Sequence, residues 1–212
     1  MHCVPQTASK ARLDWLRVVV FVAAVSVLAG CTSVPRVTRA SHEAVTDLSG
    51  YWNDTDSLRV SEEMIADALG REWIDQWRAA TGERPALIVG SIRNKSSEHI
   101  NTRTFSKDLE RAFVNSGRVR LVASSDERSN LRSERLDQLR NSTIDTAKSM
   151  GKEIGADFML IGAINSIIDA AGDTETRFYQ VELEVVNLET NEKVWIGQKK
   201  IKKIVTRSSY RF

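Results

Sequence analysis

The chain has 212 residues, 42% of them hydrophobic and 27% charged, with two cysteines and a formal net charge of +2. Two cysteines make one bridge at most, which excludes a disulfide-stapled scaffold. The balance of 30 basic against 28 acidic residues excludes a general polyanion binder, and the apolar content suffices for one core of ordinary size.

The only long apolar run, Val18 to Leu28, has eleven residues. A membrane-crossing helix needs roughly 20. Lys10, Arg12 and Arg17 precede the run, with Asp14 the lone acid, and small residues follow it. A basic flank, a short apolar stretch and small residues describe a secretory signal. The run ends Leu28-Ala29-Gly30-Cys31, which resembles the bacterial lipobox. That resemblance implies cleavage before Cys31 and acylation of its thiol and new amine. Residue 32 is Thr rather than Asp, which by the sorting rule of such lipoproteins implies the outer membrane. Each buried CH₂ contributes about 0.8 kcal/mol, so two or three acyl chains hold a domain firmly. Removing residues 1–30 takes three bases and one acid, leaving 27 of each in 182 residues. Cys3 leaves with the signal, and the mature chain has no free thiol.

From Thr32 to about Thr46 there is no apolar period, and the segment reads as a tether. Flexible, it spans ~20 Å on average; stretched, about 50 Å. The globular domain is expected over 47–212. Asp47 to Ser57 is rich in turn formers and reads as a loop whose Trp52 plugs the core. Ser61, followed by Glu62 and Glu63, is the expected N-cap of a helix carrying Met64, Ile65, Ala68, Leu69, Trp73 and Trp77 on one face and closed by Gly82. Ala86 to Ile92 reads as a buried strand, and Asn94 to Glu98 as a polar loop. A second helix is expected from Thr102 to Ser116, with Phe105, Leu109, Ala112 and Phe113 inward and Gly117 beyond its end.

Val119 to Ala123 is expected as a strand, and the charged stretch Asp126 to Arg140 as a solvated helix or protrusion. Ser142-Thr143-Ile144-Asp145 reads as a capping box opening a third helix, with Ile144, Ala147, Met150 and Ile154 inward. Ala156 to Ile168 is an apolar strand, followed by a turn over Asp169 to Asp173. Tyr179, Val181, Leu183 and Val185 alternate with Gln180, Glu182 and Glu184. A turn at 189–192 then returns the chain through Val194 to Ile204, making a β-hairpin. Lys199, Lys200, Lys202 and Lys203 are expected to face the acids of the first strand. The order predicts one α/β domain: a small mixed sheet flanked by helices and ending in a hairpin.

Catalytic signatures are scarce. His99 is the one histidine in the domain, and without a thiol it makes neither a zinc site nor a Cys/His dyad. Ser149-Met150-Gly151-Lys152 fits the S-x-x-K string of penicillin-binding enzymes, but the partner motifs S-D-N and K-T-G do not occur. The pairs Glu182/Glu184 and Asp54/Asp56 fit a charged strand face and a turn. The lysine cluster at 199–203 fits a balanced wet strand face. Neither a cofactor nor a metal is called for, and an enzyme is not expected.

Five segments together resemble the LpoB family of outer-membrane lipoproteins, which activate bifunctional penicillin-binding proteins. They are SGYWNDTDS at 49–57, RPALIVGSIRNKSSEHINT at 84–102, FVNSGRVRLVAS at 113–124, GKEIGADFMLIGAI at 151–164 and YQVELEVVNLETNEKVWIGQKKIKK at 179–203. The resemblance implies a fold similar to the amino-terminal domain of TolB. It also implies a non-enzymatic role: binding a class A peptidoglycan synthase from the outer membrane, on the periplasmic side, with no nucleic acid or small-molecule substrate. Better-known members carry a long proline-rich tether; this one is short. The alternative is a subunit of another envelope assembly of TolB-like or curli-export-like architecture. The docking residues proposed from sequence are Asn94, Lys95, Ser96, Glu98 and His99 on the polar loop. Arg128, Arg132 and Arg135 join them as one helix face at i, i+4, i+7. Cys31 is the lipidation site.

Overall fold

The computed structural model describes residues 37–41, 44–141 and 153–207. The chain divides into two units, Met1–His42 and Glu43–Phe212. Of the first unit only residues 37–41 are described, and they are irregular and exposed. The described part of the second contains, in chain order, α1 (Asp54–Gly70), α2 (Trp73–Thr81), β1 (Ala86–Asn94), α3 (Thr102–Ser116), β2 (Arg120–Leu121), α4 (Ser125–Asn141), β3 (Phe158–Ala171), β4 (Thr174–Asn187) and β5 (Lys193–Thr206).

The strands form one sheet in the order β2-β1-β3-β4-β5. β1 runs parallel to β2 and β3, while β3, β4 and β5 form an antiparallel meander. Parallel neighbours require a crossover, and α3 supplies it between β1 and β2. The fold is therefore the expected α/β arrangement, a mixed sheet flanked by helices and ending in a hairpin.

One face of the sheet carries the core. Along β4, Tyr179, Val181, Leu183 and Val185 are fully buried, as the period of two demands. They meet Phe105, Leu109 and Phe113 of α3 and Val60, Met64 and Ile65 of α1. Trp73 and Trp77 stand edge-on to Phe158 at 5.1 and 5.0 Å. Trp195 of β5 reaches α1, its indole donating to Asp67 Oδ2 at 2.8 Å. The ring lies back over its own strand, where a Cβ on Gly197 would come within 2.2 Å of it.

Several boundaries differ from the sequence reading. The first helix starts at Asp54, not near Ser61. Asn53 and Asp56 exchange hydrogen bonds, each 3.0 Å, between side chain and backbone N–H, making a reciprocal capping box about two turns earlier. Ser61 lies inside the helix, buried, its hydroxyl donating to Leu58 O. The expected single helix is broken at Arg71 and Glu72 into α1 and α2, and the Trp73 indole donates to the Ala68 carbonyl left at the break. Gly82 and Gly117 do terminate their helices, with φ of 75° and 65°. β2 is two residues rather than five. β3 continues through Asp169 to Ala171, leaving the turn to Gly172 and Asp173.

The third helix expected from Ser142 lies outside the described residues, except for its end. There Ile154 is 59% exposed and irregular, not inward. The lysines also depart from expectation. Glu182 lies opposite Gln198, and Glu184 pairs with Lys193. Lys199 and Lys203 lie in the inward phase and bind Glu63, Asp47 and Asp56 instead.

Candidate docking site

The loop after β1 is shaped by its own side chains. Asn94 Oδ1 accepts from the Ser96 N–H at 2.9 Å and its hydroxyl at 2.6 Å, while Asn94 Nδ2 donates to Glu98 O at 2.6 Å. Lys95 N–H donates to Ile164 O and Ser97 N–H to Ser166 Oγ, tying the loop to β3. Short polar side chains closing on nearby backbone make a turn that holds its form without a partner. Its outward surface is Lys95, Ser97 and His99, all exposed, with Ser96 half-buried between them.

Glu98 is turned the other way. Its side chain is 6% exposed and accepts from Trp52 N–H at 3.1 Å, Arg177 Nη1 at 2.8 Å and the Tyr179 hydroxyl at 2.5 Å. It offers no carboxylate to a docking partner. Arg177 is equally enclosed, bonded also to Glu175 and stacked 3.7 Å from the Tyr51 ring centroid. Burial opposes the guanidinium charge, but bonds to Tyr51, Glu175 and Tyr179 outweigh it and hold the group firmly protonated. Burial, and then the Glu98 carboxylate, push the Tyr179 phenol well above its ordinary value, so it stays a donor.

This network fastens the segment leading into α1. Gly50 O lies 3.0 Å from the Tyr179 hydroxyl, and a Cβ on Gly50 would stand 2.2 Å from Val205. Lys203 completes the fastening with Asp56 Oδ2 at 2.6 Å and Asp47 Oδ1 and Tyr51 O at 3.1 Å each. Trp52 packs edge-on to Tyr179 at 5.6 Å and to Phe105 at 6.5 Å, so it joins the core as expected. The chain entering the domain and the candidate loop are thus tied to one buried network.

The arginines of α4 form a separate group. Arg132 grips Glu153 with two bonds of 2.9 and 2.7 Å, and Arg135 lies 3.6 Å from the same carboxylate. The Arg132 bonds hold the Glu153 carboxyl below its ordinary range. α4 buries none of its residues, which fits the solvated helix expected from its composition. No hydrogen bond or ion pair among the described residues joins this group to the loop.

Acid should loosen the domain. The Lys107 ammonium, with the Ser124 backbone N–H, lowers the Glu127 carboxyl to about 2. Lys203, with Asn53, lowers Asp47, and the Trp195 indole, with Arg71, lowers Asp67. Each folded-state value lies below its unfolded one, so the stabilisation is complete above the ordinary carboxylate range and is lost as pH falls through it towards about 2. Urea midpoints are expected to be level between pH 7 and 5 and to drop between pH 4.5 and 2.5. A level midpoint down to pH 2.5 would contradict these pairings.

The Glu98–Arg177–Tyr179 network was not read from the sequence, although one signal was present. Arg177 occupies the inward phase of the Tyr179–Val185 alternation, and a charge at an inward position needs a buried partner. Nothing local in the sequence pairs it with Glu98, 79 residues away.

The sequence matches the family described as "Peptidoglycan-synthase activator LpoB" over residues 56–201. The chain belongs to the LpoB family. The LpoB match runs from the first turn of α1 to the middle of β5, and so takes in the candidate loop, Arg177 and Tyr179. Among solved structures, the C-terminal domain of LpoB from Escherichia coli is 19% identical, with 69% of this chain and 98% of that one covered and a TM-score of 0.42. The NMR structure of E. coli LpoB is 16% identical, covering 84% and 86%, with a TM-score of 0.39. Lipoprotein GNA1162 from Neisseria meningitidis is 10% identical, covering 59% and 88%, with a TM-score of 0.37. No curated protein matches the chain significantly.

Proposed function

We propose that the chain is an outer-membrane lipoprotein, anchored through Cys31, whose periplasmic domain binds a class A penicillin-binding protein and stimulates it. The observation that carries this reading is the family match over 56–201, behind the Leu28-Ala29-Gly30-Cys31 string. It is a regulator's role, exercised by binding. Among the described residues no helix is long and apolar enough to cross a membrane, and acyl chains on Cys31 supply the attachment.

The docking surface proposed is the outward rim of the 94–99 loop, where exposed Lys95 and His99 stand on a turn already fixed by Asn94, Ser96 and Glu98. A loop that pays no ordering entropy on contact binds more tightly for the same area. Arg128, Arg132 and Arg135 are a second proposed contact, the last two held together by Glu153.

Full-length protein immobilised in detergent and exposed to a solubilised envelope tests the reading, with retained synthases identified by labelled penicillin. Retention of a class A enzyme is expected, weakened in Lys95→Glu/His99→Glu. Retention of no penicillin-binding protein would refute the proposal, and unchanged retention in the double variant would remove the loop from it. Metabolic labelling with a fatty-acid probe is expected to mark the wild-type chain and not Cys31→Ala; label persisting in that variant would sink the anchor.

A further inference from the structure

The sheet face turned away from α1, α2 and α3 carries charges that the fold does not use. Arg93 of β1, Ala163 of β3 and Glu182 of β4 are register partners across it. At about 4.8 Å per strand, Arg93 and Glu182 rise roughly 10 Å apart. Ala163 puts only a methyl between them, leaving a groove of about 250 Å³ that Lys95 and Asn165 also line.

Arg93 and Lys95 have no side-chain partner among the described residues, and both are exposed. Glu182 is half-buried and has no cationic partner among the described residues. Its Oε1 is steadied by the Gln180 amide at 2.5 Å and the Gln198 amide at 3.1 Å. The neighbouring Glu184 is already neutralised by Lys193. The groove therefore has a basic wall, an acidic wall and the Asn165 amide between them.

That arrangement selects a ligand. A phosphate or polyanion would meet Glu182, and a polycation would meet Arg93 and Lys95. A short peptide bearing both a free amine and a carboxylate satisfies both walls, and its amide groups suit Asn165. We infer that this open face binds the stem peptides of peptidoglycan, amine towards Glu182 and carboxylate towards Arg93 and Lys95. The source is set by the family's tie to peptidoglycan synthesis; the recognition is set by this chain's own unpaired charges. Lys95 stands at the meeting of this groove and the loop rim proposed for the synthase, whereas Arg93 and Glu182 belong to the groove alone, so the two contacts are separable at those residues.

Sedimentation of the full-length protein with purified sacculi tests this. The wild-type chain is expected to pellet with sacculi, and chemical acetylation of their free amines should reduce the pelleted fraction at least fivefold. Glu182→Gln and Arg93→Gln, each with an unchanged melting temperature, should pellet at least fivefold less, and Glu182→Gln should no longer respond to acetylation. Absence of wild-type protein from the pellet would overturn the inference. So would pelleting that neither acetylation nor the two variants alters. Penicillin-binding-protein retention, measured separately, reports on the synthase reading alone.

Discussion

Replacing Glu98 with alanine is expected to lower folding stability by about 3–5 kcal/mol, because it strands a buried charge. Arg177 has a 6% exposed side chain and loses one of its two carboxylates; Tyr179 and the Trp52 N–H lose their shared acceptor. In a domain of this size the loss corresponds to roughly 6–20 °C in melting temperature. The effect is larger than the pair's net worth, since a buried ion pair recovers little more than its own desolvation. Glu98→Ala with Arg177→Met should accordingly regain part of the loss by removing the stranded guanidinium. It should not regain all of it, because an orphaned buried N–H still costs about 1–3 kcal/mol. Urea unfolding of the three variants checks this. A cost below about 1 kcal/mol for Glu98→Ala would show that the network does not fasten residues 50–52.

Phe105→Ala is the second large effect. Phe105 is fully buried on α3, in the cluster that joins α1, α3 and the central strands, and Trp52 stands edge-on to it at 6.5 Å. Removing a buried phenyl costs about 3–5 kcal/mol, the spread reflecting how far the site collapses. Residual collapse is limited here because Leu109 and Phe113 occupy the same helix face and are themselves fully buried. The loss should exceed that of Val114→Ala, on the exposed side of the same helix, by at least about 2 kcal/mol. Equal losses would mean that the α3 stripe is not the core.

How much of this was legible in the sequence depended on range. The α3 stripe of Phe105, Leu109 and Phe113 is periodic within one helix, and its boundaries match the structure. So does the inward alternation of β4. Gly82 and Gly117 announced helix ends because only a residue without a side chain takes those backbone angles cheaply. Asn53 was misread because a dense run of turn formers hid the reciprocal Asn53–Asp56 box, and Ser61 looked like a better cap than it is. The break follows Gly70 directly, but the apolar period runs on through Trp73 and Trp77 and hid that signal; the break is held by the Trp73 indole.

The candidate site was legible only as a polar loop. That Glu98 turns inward while Lys95 and His99 turn outward follows from Arg177 and Tyr179, which reach the loop across 79 and 81 residues of chain. Likewise the Arg93–Ala163–Glu182 row exists only once three strands are placed in register. Local periodicity carries no information on such pairings. The arginine face of α4 was visible by its spacing, whereas its grip on Glu153 was not.

The most direct measurement of the central claim is the rate of glycan-chain polymerisation by a purified class A penicillin-binding protein with and without this protein at saturating concentration. A rise in the rate, reduced in Lys95→Glu/His99→Glu, is predicted. A rate unchanged by the wild-type chain, with a synthase from the same envelope, would contradict it.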